Sequence, residues 1–248
     1  MKKIFLFIAM YLLFCSALSA QVGINADNSA PNASAILDVK STTKGFLPPR
    51  MTRAERDAMV SPVQGFVIYN LTYNKPNYFN GTVWMNFDNT MSTAVGDSYK
   101  GGVIAYILQT GDPGYIAGEF HGLIAAPSDQ SAGAAWGCQG TSIATSTALG
   151  TGQSNTTHIV NGCSTAGIAA RICSDLVLNG YSDWYLPSKD ELNKLYLNQD
   201  AIGGFSTDGY WSSSEYSSER SWTQGFLNGS LGHGNKPSLY LVRAVRSF

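Results

Sequence analysis

Chemistry in this chain would have to come from three histidines, four cysteines and seventeen acids, and their spacing supports little of it. Gly96-Asp97-Ser98 has the residue order of a lipase-type nucleophile block. That chemistry also needs a base histidine steered by an acid, and His233 has no acid close to it in sequence. Glu55 and Glu191 could be catalytic carboxylates. Each stands three residues after a hydroxyl residue, Thr52 and Ser188, and that capping-box spacing accounts for both through helix initiation. No nucleophile, base and orienter fall together, so the chain reads as a non-enzyme. Turnover lost on changing His121 or His233 would instead mark a hydrolase.

The positions that remain suggestive are contact residues. From Ser214 to Asn235 the chain is rich in Ser, Gly, Asn, Tyr and Trp and poor in charge. Aromatic side chains give contact area at low entropic cost, and Ser, Gly and Asn give adaptable hydrogen bonds. The candidate ligand-binding set is Glu215, Tyr216, Ser218, Arg220, Thr223, Gln224, Asn228, His233 and Asn235. Arg220 is a candidate hot spot. Trp184, Trp211, Trp222 and Phe226 could stack on a ligand ring. For Trp184, Trp211 and Phe226 the core is the better home. Arg243 and Arg246 look like ligand-binding cations, but a strand that alternates sides points them to opposite faces. No cofactor is implied, and calcium, which wants several converging oxygens, finds only Asp208, Glu215 and Glu219 after Gly203.

These residues must be carried by an exported scaffold. Lys2 and Lys3, an apolar run from Ile4 to Cys15 and a small-residue exit from Ser16 to Ala20 make residues 1–20 a secretory signal. Its removal leaves 228 of the 248 residues and moves the net charge from −1 to −3, because Lys2 and Lys3 leave with no acid. No later segment is apolar for long enough to span a membrane. Low charge and mild acidity exclude nucleic acid and strong attachment to anionic lipid. Cys138, Cys163 and Cys173 remain, and export favours one disulfide and one odd thiol. Sequence does not fix the pairing. Cys138–Cys163 is preferred, with Cys173 as a small hydrophobe on a helix.

Residues 21–90 read as a small, mainly β module, used as stalk or assembly element. It has a strand at Ala35–Val39, a helix from Arg53 to Met59 behind the Thr52 box, and a strand at Gly65–Tyr69. A hairpin turns at Asn80-Gly81 between Asn77–Phe79 and Thr82–Trp84. Residues 91–97 read as a linker and 98–248 as the ligand-binding domain. In it, strands are predicted at Gly102–Leu108 and Leu123–Ala126, and helices at Asn155–Val160, Ala166–Leu178 and after Ser188. Short strands follow at Tyr210–Ser213, Trp222–Phe226 and Tyr240–Arg246.

Two resemblances add to this. Val22-Gly23-Ile24-Asn25, Ala35-Ile36-Leu37-Asp38-Val39 and Lys44-Gly45-Phe46-Leu47-Pro48-Pro49-Arg50-Met51 resemble a segment at the start of many exported Bacteroidota surface proteins. Residues 98–248 resemble the C-terminal domain of the Legionella collagen-like adhesin (Lcl_C). The likeness rests on Gly101–Tyr106, His121–Ala126, Ala135-Trp136-Gly137, Asp183–Leu192, Tyr210–Glu215 and Val242–Arg246. It implies an α+β, C-type-lectin-like domain of the formylglycine-generating-enzyme branch, with two or three helices around a small twisted antiparallel sheet. It also implies that Arg243 and Arg246 are framework residues that pair with acids such as Asp190 or Glu191. It implies an adhesin-like, surface-displayed binder of a protein or glycan, and its homologues admit a homotrimer. Some members are targets of diversity-generating retroelements, and Ser214–Asn235 sits where such variation would fall. The cysteine pair of formylglycine-generating enzymes and the Glu-Pro-Asn, Gln-Pro-Asp and Trp-Asn-Asp calcium motifs of C-type lectins are absent. The alternative is an assembly component of a surface fibre or pilus tip with no soluble ligand.

Overall fold

In a computed structural model the chain divides into two compact units, one ending at Thr90 and one spanning Met91–Phe248. The structure describes residues 21–117 and 119–248, so the leader expected over 1–20 lies outside the described residues.

The first unit is mainly β. Strands β1 (Val22–Ile24) and β2 (Leu37–Val39) pair in parallel. A second sheet has the order β3-β4-β5-β6, from β3 (Arg50–Met51), β4 (Val67–Asn70), β5 (Lys75–Phe79) and β6 (Trp84–Asn86). Helix α1 (Arg53–Asp57) starts at the Thr52/Glu55 capping box, which is formed, and ends two residues earlier than its pattern predicts. The hairpin turn differs from the tight Asn-Gly expectation. Strand β6 begins at Trp84, which pairs with Phe79, and Asn80 Oδ1 accepts from the Thr82 and Val83 amides to shape a wider loop.

Under this sheet the interior is largely polar. Asn77 accepts from Asn70 at 2.8 Å and from Arg56 at 3.0 Å, and donates to Asn86 at 2.8 Å. The Arg56 guanidinium lies 5.6 Å from the Trp84 ring centre. Buried amides of this kind are tolerable because each finds a partner.

The second unit is α+β. One antiparallel sheet has the order β15-β9-β8-β7, from β7 (Ser98–Tyr99), β8 (Gly102–Ile107), β9 (Gly122–Ala125) and β15 (Val245–Ser247). The other has the order β10-β14-β11-β12-β13. Its strands are β10 (Ser131–Ala134), β11 (Gly209–Ser217), β12 (Arg220–Gly225), β13 (Leu231–Asn235) and β14 (Tyr240–Val242). The helices are α2 (Gly152–Gly162), α3 (Ala169–Ser174), α4 (Lys189–Leu197) and α5 (Gln199–Ile202). Residues 91–97 start this unit: Val95 packs on its core and the Gly96 amide donates to Ile104 O at 2.8 Å.

The predicted single strand Tyr240–Arg246 is two strands in two sheets, and Arg243 stands at the crossing. Its guanidinium donates to Asp129 at 2.7 Å and to Ala126 O at 3.0 Å, and lies 4.1 Å from the Phe205 ring centre. Arg246 grips Asp183 with two bonds of 2.7 Å. Both arginines are structural, as the resemblance implies, but their acids are Asp129 and Asp183 in place of Asp190 or Glu191.

Two aromatic cores hold the unit. Trp136, Trp184 and Trp211 are fully buried. Their indole N–H groups donate to Ser212 O, Tyr181 O and Ala134 O, which removes the cost of burying them. Tyr185, Leu192, Leu195, Tyr210 and Phe226 form the second cluster beneath α4. Glu191 also caps its own helix at Ser188 N and reaches the start of α2, accepting from Gly150 N at 2.9 Å. Burial pushes its carboxyl above the usual range, against the pull of these amides.

Candidate functional site

The outer end of the β11–β12–β13 ribbon is where the candidate residues emerge. Strands β11 and β12 meet in a two-residue turn, Ser218-Glu219, closed by the Ser217–Arg220 pair. Strand β11 carries two extra residues between Trp211 and Glu215 relative to its partner. Three buried serines secure this bulge: Ser212 donates to Trp222 O, Ser213 accepts from Asn155, and Ser214 donates to Ser146 O. A bulge re-aims the side chains beyond it, and here it turns Tyr216 outward.

Across the ribbon Arg220 pairs with Asn235 and Trp222 with His233, so all four lie on one face. Tyr216 stacks on His233 with ring centres 4.1 Å apart and an interplanar angle of 18°. Trp222 meets Tyr216 edge-on at 5.3 Å, and the Lys189 ammonium lies 5.1 Å from the Trp222 ring centre. Arg220 Nη1 stands 3.2 Å from His233 Nδ1. At the tip an open cleft of about 770 Å³ is lined by Tyr216, Ser217, Glu219, Arg220, Asn235, Pro237, Ser238 and Gln139.

One wall of the cleft comes from far away in sequence. Cys138 and Cys163 form a disulfide with Cα atoms 5.7 Å apart, while Cys173 is a free, buried thiol on α3. Gln139, next to the bridge, bonds Glu219, and the Gly140 amide donates to Ser218 O at 3.1 Å. A fully buried ammonium holds the same loop from below. Lys236 Nζ donates to Thr141 O at 2.7 Å and Cys138 O at 3.4 Å, lies 3.7 Å from Glu215, and sits 4.7 Å from the Trp136 ring centre. Desolvation pulls its pKa down, and Glu215 opposes the shift.

The candidate set therefore divides. Tyr216, Arg220 and Asn235 line the cleft, His233 supports Tyr216 from behind, and Ser218 forms the turn beside it. The Glu215 side chain is 8% exposed and faces Lys236, also accepting from Ile143 N, so it is placed to fix the loop. Thr223 and Gln224 are buried, Gln224 donating to Asn193 at 2.9 Å. Asn228 sits in the turn at the far end of the ribbon, where it accepts from Ser230 N. Gln139 and Glu219 also line the cleft and lie outside the candidate set. Glu219 neighbours Arg220, whereas Gln139 becomes visible only once the Cys138–Cys163 bridge is known.

Elsewhere His121 lies between Glu119 at 2.8 Å and Phe248 O at 3.2 Å. Among the described residues no group of three His, Cys, Asp or Glu is placed to hold a metal ion, and no helix is long and apolar enough to cross a membrane.

The second unit is thus an α+β unit with an open cleft of polar and aromatic side chains at a hairpin tip. The Lcl C-terminal domain family matches residues 126–246, so the second unit carries a domain of that family. The match covers both the disulfide-tied loop and the hairpin. Residues 23–98 match a second family, the phage tail like trimerisation region. No curated protein matches the chain.

Proposed function

We propose that this protein is an exported, surface-displayed, adhesin-like binder without enzymatic activity. Its first unit joins copies into a homotrimer, and its second unit presents the hairpin cleft to a protein or glycan on another surface. The observation that carries the reading is the cleft itself. Tyr216, Arg220 and Asn235 project from a three-stranded, hydrogen-bonded ribbon, and the opposite wall is fastened by a disulfide and a buried ammonium. Such preorganisation lowers the ordering cost of binding. The family matches support it with an adhesin-type domain and a trimerisation-type region. A C-type-lectin-like fold for the second unit is part of the proposal, as is diversification of Ser214–Asn235 by a retroelement.

Trimerisation would raise the avidity of a weak, open site for a repetitive surface. The test is a screen of the purified protein on glycan and cell-surface protein arrays, with a Tyr216→Ala/Arg220→Ala variant alongside. Binding that the folded variant loses supports the reading. Binding to nothing, by a stable oligomer, moves the weight to a fibre or pilus-tip assembly role.

A further inference from the structure

The described residues of the first unit form little apolar core. Among them the buried hydrophobic residues are Ile68 and Trp84, while thirteen large apolar side chains are exposed. The sharpest case is the β1–β2 ribbon. Its parallel register pairs Val22 with Leu37 and Ile24 with Val39, so these four side chains share one face. Each is between 43 and 56% exposed.

The other face is already covered from within the chain. A Cβ on Gly23 would meet Pro31 at 3.3 Å, and Asp38 accepts from Asn32 N at 2.8 Å. Gln21 reaches Ala33 O, and Lys40 reaches Ser29 and Asp38. The connecting segment thus closes the Gly23/Asp38 side and leaves the aliphatic side bare. A two-stranded ribbon is marginal alone, and parallel strands almost always have both faces covered.

We propose that the Val22/Ile24/Leu37/Val39 face is the surface on which copies of this chain meet. This rests on the homotrimer reading and locates the contact that reading needs. A second copy is the fitting occupant for two reasons. The face carries no charge, because Asp38 and Lys40 lie on the opposite side and are engaged there, so identical faces meet without like-charge repulsion. The ribbon also falls in the segment that matches a trimerisation region.

The experiment is sedimentation of the purified protein over a range of concentrations, beside Ile24→Asp/Leu37→Asp and a control, Val60→Asp, at a residue of the same unit that is 92% exposed. The wild type and the control should run as one trimeric species. The double variant should associate roughly 100-fold more weakly or worse, as charges in an apolar contact demand. An Ile24→Cys variant treated with a short bis-maleimide covers the case in which the aspartates unfold the unit: a covalent bond between copies is expected, and its absence overturns the proposal. A double variant that stays trimeric overturns the proposed face and leaves the trimer intact. A wild type that is monomeric throughout overturns the trimer reading as well.

Discussion

Replacing Lys236 by methionine keeps most of the side-chain volume and removes the ammonium that fastens the cleft wall. Three groups lose a partner: the Thr141 carbonyl at 2.7 Å, the Cys138 carbonyl at 3.4 Å and the Glu215 carboxylate at 3.7 Å. The Lys236 side chain is 0% and that of Glu215 8% exposed, so water does not readily replace what is lost. Breaking a buried pair from one side costs about 3–5 kcal/mol. At the lower end this lowers the melting temperature of a domain of this size by about 6–12 °C. Urea unfolding measures the loss. Hydrogen exchange should localise it, with Gln139 to Ile143 exchanging faster than the core strands. Glu215→Gln should cost less in the Lys236→Met background than in the wild type. The sign with pH is also fixed. Because the folded state lowers the Lys236 pKa, the unfolded chain holds this proton to higher pH. The wild type should therefore gain stability relative to Lys236→Met as pH rises toward about 10.4, the unfolded lysine value. A loss below about 1 kcal/mol, the range of an exposed pair, with unchanged exchange in the loop, would refute the reasoning.

Other predictions follow the same geometry. Cys138→Ser/Cys163→Ser should cost up to about 3.5 kcal/mol by the chain-entropy account for a 25-residue separation, and should weaken ligand binding through a loosened Gln139, read by calorimetric unfolding and array signal. Glu191→Ala leaves amides of Ser188, Gly150 and Gly152 without their carboxylate; a loss of about 3 kcal/mol or more in urea unfolding is expected. The Arg246 guanidinium holds the Asp183 carboxyl below its usual range. That pair contributes above the unfolded aspartate value and is lost as pH falls through the folded one. Asp183→Asn should therefore flatten the acid limb of the stability curve, by about 1 kcal/mol or less because Asp183 is half exposed.

The parts legible from sequence were those with local signatures. Thr52/Glu55 and Ser188/Glu191 gave both capping boxes because a cap spans only four residues. Trp184, Trp211 and Phe226 read as core residues and are buried there. The Cys138–Cys163 bridge, which the sequence favours, is present. What depends on long-range pairing was not legible. Strand β13, Leu231-Gly232-His233-Gly234-Asn235, has two glycines and no apolar alternation, and only its pairing with β12 makes it a strand. The crossing at Arg243 was invisible because Val242 to Arg246 reads as one alternating run. Glu215, Thr223 and Gln224 look like their exposed neighbours in composition. Their inward placement depends on the β11 bulge, on Lys236 and on Asn193.

The most direct test of the central claim is a hydrogen-exchange footprint of the protein with a ligand taken from the array screen. The account predicts protection at the cleft, over Gln139 to Ile143, Tyr216 to Trp222 and His233 to Ser238, with the first unit unchanged. Protection confined to another surface, with the cleft exchanging as in the free protein, would contradict it.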